Sequence, residues 1–136
     1  MIFGIGIDLV VIERVERIWI RHGLRFAQRI LSVNEYAEFS QQERQVVFLA
    51  KRFAVKEATV KAMGTGFSQG IGLQQIHLAH EASGKPTLNF SGCAEQFMRD
   101  HHIQSAHVSI ADERAHVVAC VLLEQEILGA CGSSTK

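Results

Sequence analysis

The chain has 136 residues, 47% of them hydrophobic and 21% charged, with 14 Lys+Arg balanced by 14 Asp+Glu. Such a length and composition describe one domain with a real core and exclude a disordered or fibrous chain. A net charge of zero argues against a protein that coats nucleic acid or an acidic membrane by bulk electrostatics, while leaving room for a local basic patch.

Ile2–Asp8 alternates around Gly4 and Gly6 and reads as a short buried strand. From about Val11 the period becomes helical: Val11, Val15, Ile18 and Trp19 share one stripe, and Arg14, Arg17 and Arg21 a neighbouring one. Gly23 is a stop signal, and Arg25 and Arg29 follow in a second short helix. Ser32-Val33-Asn34-Glu35 has the form of a capping box. The longest predicted helix runs from about Gln42 to Met63 and ends at Gly64-Thr65-Gly66. Leu73–Ala79 and Thr87–Phe90 read as a hairpin turning at Gly84-Lys85-Pro86, and Ala94–His101 as a short helix. Ala106, Val108 and Ile110 alternate with Ser105, His107 and Ser109, and after a turn at Asp112-Glu113-Arg114 an apolar strand returns over Ala115–Leu123. The expected fold class is α+β: an antiparallel sheet built from the N-terminal strand and two hairpins, packed with a long central helix and shorter helices. Residues 1–126 are expected to form a single domain, and 127–136 a flexible tail.

Cys93, Cys120 and Cys131 are odd in number and far apart, which argues against a disulfide scaffold or a cysteine zinc site. No apolar run is long enough to span a bilayer, and no basic leader precedes Ile2, so a cytoplasmic setting is expected.

Four features carry chemistry. Asp8, at the end of the first strand, either caps the next helix or projects a carboxylate into a site. Glu57 and Lys61 are four apart, which suits a solvated ion pair; yet Glu57 shares a half-apolar face with Phe53 and Val60, where a carboxylate needs a cation or metal as partner. Gly64-Thr65-Gly66 is either a helix C-cap or a turn whose N–H groups cradle phosphate oxygens. His107 and Ser109 point to one strand face, away from the apolar row. Together these suit an anionic substrate held by Mg²⁺, which takes one or two protein carboxylates and completes its shell with water and phosphate oxygens. Phosphoryl-type transfer is the chemistry that such a set favours.

Gly4-Ile5-Gly6-Ile7-Asp8-Leu9-Val10, Arg52-Phe53-Ala54-Val55-Lys56-Glu57-Ala58, Lys61-Ala62-Met63-Gly64-Thr65-Gly66, Gly84-Lys85-Pro86 and His107-Val108-Ser109-Ile110-Ala111-Asp112-Glu113 occur in an order that resembles the holo-[acyl-carrier-protein] synthases, the small AcpS-type 4′-phosphopantetheinyl transferases. The resemblance covers the chain to about Glu124; Ala111 stands where that family prefers serine. It implies transfer of 4′-phosphopantetheine from coenzyme A to a serine of an apo acyl carrier protein, with release of adenosine 3′,5′-bisphosphate, in support of fatty acid biosynthesis. It further implies that Asp8 and Glu57 bind Mg²⁺ and act with Lys61 in catalysis. By the same resemblance Lys61, Gly64, Thr65 and Gly66 hold phosphate oxygens, and Arg52, Lys85, Pro86, His107 and Ser109 contribute to the coenzyme A site. Glu57, directly or through a metal-held water, is the candidate base. Acyl carrier proteins are acidic, and the resemblance assigns their docking to the basic first helix, with Arg14, Arg21 and Arg25 as the contacts. A homotrimer with sites between subunits is also implied.

Two other classes compete. A non-catalytic coenzyme A-binding module would tolerate loss of Asp8 or Glu57, yet both are present. A nucleic-acid adaptor built on the arginine helix is disfavoured by few aromatics and zero total charge. The charge is nonetheless segregated: residues 10–61 hold ten Lys/Arg against six Asp/Glu, and residues 62–136 four against seven.

Overall fold

The computed structural model describes residues 1–127; the expected tail, including Cys131, lies outside the described residues except for Ile127. The elements are β1 (Ile2–Val11), α1 (Ile12–His22), α2 (Leu24–Ile30), α3 (Val33–Phe39), α4 (Gln45–Met63), a 3₁₀ turn (Leu73–Gln75), β2 (Ile76–His80), β3 (Pro86–Phe90), α5 (Gly92–Asp100), β4 (Ile103–Asp112) and β5 (His116–Gln125). All strand pairings are antiparallel, as expected of the α+β class. The strands divide between two sheets, however: β1-β5-β4 form one, and the β2–β3 hairpin stands alone as the other. β3 packs beside β4 without joining its ladder.

Several details differ from the sequence reading. β1 continues to Val11 because Leu9, Val10 and Val11 pair with Val118, Val117 and His116, and β-branched residues favour the strand. Leu73–Gln75 forms a 3₁₀ turn, so β2 begins only at Ile76. In α1, Val15 is buried and Trp19 packs on Phe39, whereas Ile18 is exposed.

Helix α4 is buried along most of its length because every side of it has a neighbour: β1 and β5 on one side, α1, α2 and α3 on the other. Its contact with β1 is set by small residues. A Cβ on Gly4 would overlap the Ala62 carbonyl oxygen, and one on Gly6 would overlap that of Ala58. Glycine at these two positions therefore lets strand and helix backbones touch. Because side chains alternate along a strand, Asp8 emerges on the same face as Gly4 and Gly6, against α4.

Among the described residues, the other face of the large sheet carries no helix. Ile5, Ile7 and Leu9 are 59%, 57% and 64% exposed there, and they pair with Leu122, Cys120 and Val118 of β5, which in turn pair with His107, Ser109 and Ala111 of β4.

Candidate active site

Asp8 does not cap a helix. The N-cap of α1 is Val11, with no side-chain capping bond. Asp8 instead accepts a hydrogen bond from Lys61 Nζ at 2.9 Å, and the same ammonium donates to the Ile7 carbonyl at 3.0 Å. The expected Glu57–Lys61 pair is thereby lost: Lys61 turns across to β1, and among the described residues Glu57 has neither a hydrogen-bonding nor an ion-pair partner. Its proton affinity is raised, first by burial and then by the Asp8 charge, with Lys61 opposing. One strand and one helix thus juxtapose two carboxylates and one lysine.

This donor set fits Mg²⁺. Both carboxylates are hard oxygen donors, one of them lacks a partner, and the single lysine does not balance both. No group of three or more His, Cys, Asp or Glu that could hold a metal occurs among the described residues, so the protein would supply a minority of the ligands. Substrate oxygens and water complete such a shell.

The Gly64-Thr65-Gly66 turn is a C-cap. Gly64 is left-handed at φ 79°, and the N–H groups of Gly64, Thr65 and Gly66 converge on the Val60 carbonyl at 3.0, 3.3 and 3.4 Å. These N–H groups already share one acceptor within the chain. A phosphate here would have to take over the two longer bonds.

Arg52 lies almost wholly buried. Its Nη2 donates to Glu38 Oε2 at 3.2 Å, its guanidinium sits 3.7 Å from the Phe48 ring centroid, and its Nε has no hydrogen-bond partner. Burial pushes its proton affinity down against the pull of Glu38 and Glu35. Arg52, Phe48 and Pro86 line an open cleft of about 400 Å³ shared with Arg44, Lys51 and Asp112. Lys85 is the exposed residue before Pro86. His107 and Ser109 are not brought to this site: they lie on the bare face of the sheet, opposite Asp8. A single copy of the chain therefore assembles Asp8, Glu57 and Lys61, gathers Arg52 and Pro86 in a neighbouring cleft, and leaves two expected members elsewhere.

Sequence reasoning missed a buried ion pair beneath the site. The Ser32–Glu35 capping box forms as expected, but Glu35 does more: its Oε1 accepts from Lys56 Nζ at 2.6 Å and its Oε2 from the Leu78 N–H at 3.0 Å. Lys56, 0% exposed, also donates to the Ile30 and Leu73 carbonyls at 2.7 and 3.0 Å. The only signal was a lysine set beside Glu57 among the apolar Ala54, Val55 and Ala58.

On α1 and α2, Arg14, Arg21 and Arg25 are all exposed. Arg17 is paired with Glu13 at 2.8 Å, whereas Arg14, Arg21 and Arg25, together with Arg29, have no internal partner among the described residues.

Residues 4–121 match the model of the 4′-phosphopantetheinyl transferase superfamily. The holo-[acyl-carrier-protein] synthase of Baumannia cicadellinicola is 48% identical over 126 residues, covering 93% of this chain and 86% of that protein. The crystal structure of holo-[acyl-carrier-protein] synthase from Neisseria meningitidis superposes with a TM-score of 0.88 at 38% identity, covering 92% of this chain and all of that one. The Bacillus anthracis enzyme, solved in complex with CoA (3′,5′-ADP), gives a TM-score of 0.77 at 35% identity over 93% of this chain and 99% of that one. The close strand–helix contact, the carboxylate pair it creates and this span of similarity lead to one conclusion: the chain belongs to the 4′-phosphopantetheinyl transferase superfamily.

Proposed function

We propose that residues 1–126 form a single catalytic domain that transfers 4′-phosphopantetheine from coenzyme A to a serine of apo acyl carrier protein, in a Mg²⁺-dependent reaction that equips the carrier for fatty acid synthesis. The observation that carries this reading is the unpartnered Glu57 carboxylate facing Asp8, with Lys61 alongside.

In the reaction the serine Oγ attacks the phosphorus that bears pantetheine, the bond to the bridging oxygen breaks, and adenosine 3′,5′-bisphosphate leaves. Asp8 and Glu57 would hold Mg²⁺, which supplies charge neutralisation on the pyrophosphate when bound. Lys61, anchored by Asp8 and the Ile7 carbonyl, adds a fixed positive charge beside the transferred group. Glu57 takes the serine proton in this scheme, being the carboxylate without an internal partner. Arg52 and Pro86 receive the nucleotide end in their cleft. Release of adenosine 3′,5′-bisphosphate should require an apo carrier and should vanish when the carrier's acceptor serine is alanine; release without that serine would refute the transfer.

Three further elements belong to this reading. The bare apolar face supports a homotrimer, because a second and third copy would cover Ile5, Ile7 and Leu9 and bring His107 and Ser109 to a neighbour's site. Ile7→Asp should then dissociate the assembly to single copies in light scattering and lower activity; a wild-type protein that is itself a single copy would contradict the arrangement. The exposed Arg14, Arg21 and Arg25 suit an acidic carrier protein. Arg14→Glu should raise the KM for carrier about tenfold at low salt and leave that for coenzyme A unchanged; equal effects on both would count against docking there. Finally, we place the protein in the cytoplasm, where the free Cys93 and Cys120 would stay reduced. No helix among the described residues is long and apolar enough to cross a membrane.

A further inference from the structure

On the bare face of the large sheet stands a polar cluster of which the transfer reading uses His107 but neither Ser105 nor Glu124. His107 Nε2 lies 2.6 Å from Glu124 Oε1, and Ser105 Oγ donates to the same oxygen at 3.0 Å. Ser105 and His107 are alternate residues of β4 on one face, and Glu124 pairs with Ser105 across the β4–β5 ladder. Leu122, paired with both His107 and Ile5, separates this cluster from the centre of the apolar face. The two bonds hold the Glu124 carboxyl below the usual range, with help from the Met1 ammonium. An exposed histidine ordinarily samples several ring orientations. Here the carboxylate engages Nε2, and Nδ1 has no hydrogen-bond partner among the described residues.

An imidazole held in this way presents one nitrogen in a fixed direction, as in other sites where a carboxylate behind a histidine orients it toward a ligand. In the neutral ring Nδ1 would be an acceptor; as an imidazolium beside the Glu124 carboxylate the ring donates from both nitrogens. The partner best matched to Nδ1–H at an apolar rim is then an anionic oxygen, since a hydrogen bond between charged groups is the stronger kind. We infer that Glu124, with Ser105 behind it, is a positioning residue that fixes the His107 ring so that its free nitrogen meets an anionic oxygen of the nucleoside bisphosphate end of coenzyme A held by a neighbouring copy. The inference rests on the transferase reading and on His107 reaching that neighbour's site. It assigns Glu124 a role in binding the nucleotide and none in the chemical step.

The test is the affinity for adenosine 3′,5′-bisphosphate, measured by calorimetry on the purified chain, together with steady-state kinetics. His107→Ala and Glu124→Ala should each weaken binding about tenfold, and the double variant should be no weaker than His107→Ala. Glu124→Gln, whose amide oxygen can accept the same bond, should retain most of the affinity and guards against a folding defect in the alanine variant. In Glu124→Ala the KM for coenzyme A should rise in step, with kcat within about twofold and the KM for carrier protein unchanged. Normal binding by His107→Ala would remove His107 from the nucleotide site and this inference with it. Weakened His107→Ala beside normal Glu124→Ala, or a further loss in the double variant, would overturn the positioning role alone.

Discussion

Glu57→Gln is expected to lower transfer by on the order of 10²–10³-fold or more while leaving the metal-free protein at least as stable as wild type. The two effects have one cause. Glu57 is partly buried, lies within the field of Asp8 and has no ion-pair partner among the described residues, and Lys61 only partly offsets this, so its ionised form is disfavoured in the folded state. A carboxylate whose folded pKa is raised subtracts from stability above that pKa, and the cost disappears as pH falls through it. Wild-type melting temperature should therefore rise as pH falls through a window above the ordinary glutamate value, before the other carboxylates protonate, and the glutamine variant should lack that rise. Added Mg²⁺ should stabilise wild type and not the variant. A glutamine variant that melts lower than wild type without metal would show that Glu57 is a structural anchor, contrary to the site described above.

Lys56→Ala is expected to cost about 3–5 kcal/mol, against a total of about 5–15 kcal/mol for a typical domain. The ammonium donates three hydrogen bonds, to Glu35, Ile30 and Leu73, of which the first two are buried and the third half-buried. Truncation leaves a buried Glu35 carboxylate whose nearest cation is Arg52 Nε at 3.7 Å. That single pair joins the end of α2, the start of α3, the 3₁₀ turn and β2 to α4, so the loss should be global and visible as a lower urea midpoint. Lys56→Met combined with Glu35→Gln should recover part of the cost, because glutamine carries no charge and its single amide oxygen can still accept from either Ser32 or Leu78. Equal destabilisation in the single and the double variant would deny the charge its role.

Much of this architecture was legible locally. The Ser32–Glu35 box, the glycine stop after α1, the two hairpins and the long helix each follow from short-range chemistry, and all are present. What was not legible depends on partners distant in sequence. Nothing near Lys61 announces that it will leave Glu57 for Asp8, 53 residues away. Glu35 satisfies its helix cap and at the same time neutralises Lys56, 21 residues on, a double use that a local motif conceals. The division into two sheets depends on β3 lying beside β4 without pairing to it, and alternation within β3 carries no such information. The Gly4-x-Gly6 spacing was visible, but its meaning, a backbone-to-backbone contact with Ala58 and Ala62 that sets Asp8 against α4, required the packed helix.

The sheet faces decide how the remaining site residues are read. Asp8 follows Gly4 and Gly6 onto the covered face, while His107 and Ser109 fall on the bare one. A strand period of two permits no compromise between them. If both faces serve one reaction, assembly of several copies follows as a geometric requirement, and the exposed Ile5, Ile7 and Leu9 are the surface available for it.

The most direct test of the central claim is the intact mass of an apo acyl carrier protein after incubation with coenzyme A and this chain, with Mg²⁺ and with a chelator. A phosphopantetheine mass increase with Mg²⁺, absent with chelator and absent for both Asp8→Asn and Glu57→Gln, is the predicted result. No increase on a carrier that another transferase can modify, or an undiminished increase in either variant, would contradict it.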